Sequence, residues 1–96
     1  MKKRIKAMSL FANVGIAETY LKEIGIDVVV ANEIDKQRVK FYNYLYPETN
    51  MIEGDITSDV IKDELISIAK KEQIDLIMAT PPCQGMSTAG KKDKND

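Results

Sequence analysis

Four short, β-rich apolar runs alternate with three longer segments of helical periodicity, an order that a chain satisfies by stacking βαβ units onto a mostly parallel sheet. The first run, Ile5 to Phe11, is apolar enough for a strand covered on both faces. The turn Asn13-Val14-Gly15 follows. Beyond it Ile16, Ala17, Tyr20, Leu21 and Ile24 fall at helical spacing, and Gly25 stands where a left-handed residue would end the helix. Asp27 to Ala31, with Val28-Val29-Val30, reads as the second strand and leads into the polar group Asn32-Glu33-Ile34-Asp35. Lys36 to Tyr46 places Val39, Tyr42, Leu45 and Tyr46 on one side of a helix that Pro47 stops. Met51-Ile52 is a short third strand running into Gly54-Asp55-Ile56-Thr57. Ser58 is a candidate cap for a third helix with Ile61, Leu65, Ile68 and Ala69 on its buried side. Ile74 to Ala79 reads as the fourth strand, and Pro81-Pro82 ends it, since consecutive prolines forbid both pairing and helix.

The expected architecture is therefore α/β: the β-α-β-α-β-α-β half of a Rossmann-like, mostly parallel sheet, cut off beside its fourth strand. Residues 1–90 form one unit. Residues 91–96 are a polar tail, expected to be mobile because nothing in it can be buried. At 96 residues the chain supplies one domain at most, with a thin core. Hydrophobic residues at 44% and charged residues at 30% exclude wholesale disorder. Fourteen basic against fifteen acidic residues leave no global attraction to nucleic acid or anionic lipid. No apolar run approaches a membrane span, so a soluble, cytoplasmic chain is expected. One Cys and no His exclude an internal disulfide, a conventional zinc cluster and any His-based triad.

In open parallel sheets ligands bind outside the carboxyl ends of the strands. Four polar stretches converge there: Phe11 to Gly15, Glu33, Asp55 and Pro82-Cys83-Gln84. Glu33, 18 residues after Gly15, is near the spacing at which an acid accepts hydrogen bonds from ribose hydroxyls. Its plainer reading is a strand-end acid facing water. Asp55 after Gly54 is equally ordinary turn chemistry. The turn Asn13-Val14-Gly15-Ile16-Ala17-Glu18 keeps one glycine of a dinucleotide fingerprint and adds an acid, which disfavours close phosphate contact. A nucleoside cofactor without phosphates, such as S-adenosylmethionine, suits it better. Cys83, in a proline-stiffened turn, is placed to react, although a lone Cys often serves as a small buried hydrophobe.

Ser9-Leu10-Phe11-Ala12-Asn13-Val14-Gly15, Asn32-Glu33-Ile34-Asp35, Gly54-Asp55-Ile56 and Pro81-Pro82-Cys83-Gln84-Gly85-Met86-Ser87 resemble, in order and spacing, the first four motifs of the DNA cytosine-5 methyltransferases. The resemblance implies an S-adenosylmethionine-dependent methyltransferase fold, with Phe11, Asn13 and Gly15 bordering the cofactor. Glu33 would hold its ribose, Asp55 its adenine amine, and Pro81 would lie alongside. It also implies that Cys83 is the nucleophile: cytosine carbon 5 is not itself nucleophilic, so a thiolate adds to carbon 6 and makes it so, with the target base flipped from the duplex. The chain departs from the family at Ser9, usually acidic, and at Asn13 and Ile16, usually glycine.

The family's Glu-Asn motif, its arginine-bearing motif, its target-recognition region and its closing helix have no counterpart in these 96 residues. The implied partners are double-stranded DNA, met mainly through that later region, and a complementing C-terminal polypeptide. Little methyl transfer is expected of the chain alone. A nicotinamide-dependent oxidoreductase fragment and a non-catalytic Rossmann-like binding module are the competing readings.

Overall fold

The computed structural model describes residues 3–79. Its elements run β1 (Ile5–Leu10), α1 (Ile16–Glu23), β2 (Ile26–Glu33), α2 (Lys36–Leu45), β3 (Asn50–Glu53), α3 (Asp59–Glu72) and β4 (Leu76–Ala79). The four strands form one parallel sheet in the order β3-β2-β1-β4. The chain moves outward from β1 through β2 to β3, then returns across the sheet to place β4 on the other side of β1. Right-handed crossovers then put α1 and α2 on one face and α3 on the opposite face.

Packing agrees with that division. On the α3 face, Met8, Val30, Ile52 and Leu65 form a buried cluster flanked by Ile61, Ile68, Ala69 and Ile74, so the apolar side expected of the third helix is the one it uses. On the other face, Ala12, Ala31 and Tyr42 are buried together, with Tyr46 and Met51 against them. The register between β1 and β2 shifts after Ala7: Ala7 is paired with Val28, and Met8 with Val30, so β2 carries one extra residue, Val29.

The boundaries differ from expectation where backbone hydrogen bonds are claimed elsewhere. β1 stops at Leu10 because Phe11 turns left-handed, at φ 56°. β2 runs on through Asn32 and Glu33, which pair with Ile52 and Glu53 of β3, so the polar group continues the strand. β4 begins only at Leu76, because the Ile74 amide donates to the Ala69 carbonyl and closes the end of α3. Gly25 follows α1 with φ 94°, as its spacing suggests. Ser58 is the N-cap of α3 by backbone position, but its side chain makes no capping hydrogen bond. The side-chain cap that does form is at α2, where Asp35 Oδ1 accepts from the amides of Gln37 and Arg38 at 2.9 and 3.1 Å.

The helical spacing of α1 is also realised, but Ile16, Tyr20 and Ile24 are exposed, and the buried residue of that helix is Glu18. Among the described residues no helix is long and apolar enough to cross a membrane. The tail 91–96 lies outside them.

Candidate functional site

Three strand ends are tied together at the carboxyl edge of the sheet. After β1 the chain passes through a turn with three left-handed residues, Phe11 (φ 56°), Asn13 (φ 58°) and Gly15 (φ 76°). Left-handed geometry costs a non-glycine residue roughly 1 kcal/mol or more, so the surroundings must hold this turn in place. They do so from β2: the Ala12 amide donates to the Asn32 carbonyl at 3.0 Å, and the Asn13 amide donates to Glu33 Oε1 at 2.7 Å.

Glu33 is 5% exposed. Its second oxygen, Oε2, accepts from the Asp35 amide at 3.0 Å, and Nη1 of Arg38 lies 4.0 Å from the same atom. A carboxylate buried to this degree is stable only when hydrogen-bonded, and here two backbone amides and a nearby guanidinium supply the partners. The plainer reading, an acid facing water, is thereby excluded. Each oxygen has a second lone pair, so the carboxylate can still accept two further hydrogen bonds side by side.

Asn32, to which the sequence assigns no role of its own, joins the third strand end to the other two. It is 3% exposed, and its Nδ2 donates to the Ile52 carbonyl at 2.8 Å and the Gly54 carbonyl at 3.1 Å. The Gly54 amide returns a bond to the Glu33 carbonyl at 3.1 Å. Gly54 has φ 150°, and a Cβ there would stand 2.5 Å from Cδ1 of Ile61, so the chain passes too close to α3 for a side chain. Asp55 is exposed. Its Oδ1 accepts from the Thr57 hydroxyl at 2.7 Å and the Thr57 amide at 2.9 Å, and these bonds hold its carboxyl below its ordinary pKa. The expected turn chemistry of Asp55 is therefore present, and it uses Oδ1.

A cleft of about 260 Å³ lies where the chain order reverses, between the ends of β1 and β4. Asn13, Val14, Ile16 and Ala17 line it, with Ser9 from β1 and Met78 from β4. Its size is close to the small end of the range for small-molecule pockets. The structure thus brings Asn13 and Glu33 together directly, holds Gly15 in the same turn through its amide's bond to the Ala12 carbonyl, and ties Asp55 to them through Gly54 and Asn32; of the expected residues among those described, Asn13 lines this cleft. Pro81 and Cys83 lie outside the described residues.

A family model described as C-5 cytosine-specific DNA methylase matches residues 5–96. The Type II methyltransferase M1.HgaI of Avibacterium volantium is 47% identical over 91 residues, which are 95% of this chain and 26% of that protein. The Type II methyltransferase M.NgoPII of Neisseria gonorrhoeae is 37% identical over 90% of the chain and 24% of its own length. A tRNA (cytosine(38)-C(5))-methyltransferase of Spodoptera frugiperda is 31% identical over 95% of the chain and 27% of its own length. Among solved structures, a mutant of Spodoptera frugiperda DNMT2 superposes with a TM-score of 0.67 at 27% identity, covering 82% of this chain and 23% of that one. The chain spans about a quarter of the length of these relatives.

Proposed function

Because the chain belongs to the C-5 cytosine-specific DNA methylase family, we propose that it is part of an S-adenosylmethionine-dependent enzyme that methylates carbon 5 of cytosine in DNA. The carrying observation is Glu33: a buried carboxylate, fixed by two amides, with one lone pair per oxygen left to receive the two adjacent hydroxyls of a ribose. The donor set suits this cofactor, since the acid-bearing, glycine-poor turn next to Glu33 gives no cradle for a pyrophosphate.

In this reading Glu33 orients the ribose, and Oδ2 of Asp55 accepts from the adenine amine. Phe11 and Pro81 flank the adenosine, and Asn13 and Gly15 shape the wall of the turn. When bound, S-adenosylmethionine supplies a methyl group on a sulfonium. Cys83 adds as a thiolate to carbon 6 of a flipped-out cytosine and leaves again when the carbon-5 proton is lost. DNA is favoured over tRNA as substrate by the family description and by the 47% relative, against 31% for the tRNA enzyme. Neither the nicotinamide-dependent oxidoreductase nor the non-catalytic module is favoured by these matches. Binding DNA, completing the pocket and protonating the base fall to residues supplied with the remainder of the enzyme, on the same or a complementing polypeptide.

Calorimetric titration of the chain with S-adenosylhomocysteine and with NAD tests the cofactor. Heat of binding with the first and none with the second is expected, and the reverse preference would overturn the assignment. For the nucleophile, a duplex carrying 5-fluorocytosine should be trapped covalently by the complete enzyme in the presence of S-adenosylmethionine, because after methyl transfer the fluorine on carbon 5 cannot depart as a proton does and the thiolate cannot be expelled. Cys83→Ala should abolish the adduct.

A further inference from the structure

Gly15 lacks room for a side chain for a reason separate from its backbone angle. A Cβ at this position would stand 2.7 Å from Cε2 of Tyr42 and 2.7 Å from Cε2 of Tyr46. The two rings, with centroids 5.0 Å apart and planes inclined at 51°, fill the space beside the turn from α2. Both hydroxyls then reach α1. That of Tyr46 donates to the Gly15 carbonyl, and because its one proton is committed there, Thr19 Oγ1 is the donor in the 2.9 Å contact between Thr19 and Tyr46. The hydroxyl of Tyr42, itself fully buried, donates to Glu18 Oε2 at 2.9 Å. Glu18 is 7% exposed and also lines the cleft.

The turn needs such support. It stands left-handed at Phe11 and Asn13 without the glycines that adopt this geometry freely, and strain of that kind persists only where neighbouring groups over-determine it. Glu33 fixes the turn at Asn13. Among the described residues α1 packs on β2 but no hydrogen bond runs from β2 to the following stretch, Gly15 to Thr19, whereas the two tyrosines bond it at three residues. Burial, and next the charge of Glu18, push the Tyr42 hydroxyl far above its ordinary pKa, so it remains a donor throughout the working range of pH.

We infer that Tyr42 and Tyr46 are positioning residues, which clamp Gly15 and the first turn of α1 so that the cleft wall from Asn13 to Glu18 is already formed when the cofactor arrives. The inference rests on the cofactor reading above and deepens it: the tyrosines are not among the residues that line the cleft and act through the turn.

The experiment uses the full chain, with Tyr46→Phe and Tyr42→Phe, which keep the rings and remove one hydroxyl each. Amide hydrogen exchange is followed by NMR, together with titration of S-adenosylhomocysteine. Tyr46→Phe should accelerate exchange at Gly15 and Glu18 about 5- to 10-fold more than at Leu65 in α3, and raise the dissociation constant by a similar factor. Thr19→Val removes the bond that Tyr46 accepts but leaves the two that the tyrosines donate, to Gly15 and Glu18, and should change the dissociation constant less than about twofold. Equal acceleration at Leu65 would mean a general loss of stability and overturn the inference, as would an unchanged dissociation constant in Tyr46→Phe. If Tyr42→Phe does not fold, Tyr46→Phe alone decides. Absence of binding by the unsubstituted chain overturns the cofactor reading and the positioning role with it, and the exchange rates then report only the tie between the helices.

Discussion

β2 and β4 invert the ordinary rule of burial in opposite directions. β2, paired on both sides, buries polar residues at its end: Asn32 at 3% exposure and Glu33 at 5%. β4, paired only with β1 among the described residues, exposes apolar ones, with Ile77 at 58%. Apolar residues on a surface are common, but a buried unpaired charge is not tolerated, so the two inversions carry different information. In β2 the polar groups are buried because three chain segments use them as their hydrogen-bonding hub. In β4 the exposed aliphatics mark an edge to which more protein can be added. Among the described residues the strand ends around β2 are tied into one hydrogen-bonded unit, whereas β4 has a partner on one side, β1.

The strongest challenge to this contrast is Glu33→Gln. One of its two side-chain atoms would become an amide nitrogen facing a backbone N–H, at Asn13 or at Asp35, and the expected loss is about 3 kcal/mol in urea unfolding together with the binding of S-adenosylhomocysteine. A loss below about 0.5 kcal/mol would show that the hub is decorative. Asn32→Leu, close in volume, strips a donor from the carbonyls of Ile52 and Gly54, and about 2 kcal/mol is expected by the same measurement.

On the other side of the contrast, Ile77→Lys should move stability by no more than about 0.5 kcal/mol while lowering self-association in analytical ultracentrifugation. If the parent chain is already monodisperse at high concentration, β4 is not an open edge. The smallest effect concerns Asp55. Its folded pKa lies below the unfolded one, so its contribution to stability is present above about pH 3.9 and is lost as the pH falls through the depressed folded value. Thr57→Val removes the first cause of that shift, and an NMR titration should then find the Asp55 carboxyl nearer its ordinary pKa.

The order of elements was legible because apolar periodicity is local. The hub was only partly so. Glu33 could be suspected from its position after a strand, but its burial depends on the Asn13 amide, twenty residues away. Asn32 looked like the polar end of a strand because nothing near it in sequence reveals that Ile52 and Gly54 need its donors. In α1 the spacing gave a helix, but the row it marked is not the buried one. Tyr42 decided the outcome from another helix by recruiting Glu18 and leaving Ile16, Tyr20 and Ile24 outside. Asp35 and Ser58 are both favoured cap types, and residue type alone does not tell that the first bonds the amides of its helix and the second does not.

The extra residue in β2 has a consequence for how such a chain can vary. In a strand of strict alternation, lengthening the segment before it by one would turn every later side chain to the wrong face. Val29 provides slack between the two ends of β2. Deleting one residue at Val29 would straighten the strand and leave Ala31 to Glu33 in register with β3, which makes this position the place to shorten the half-sheet.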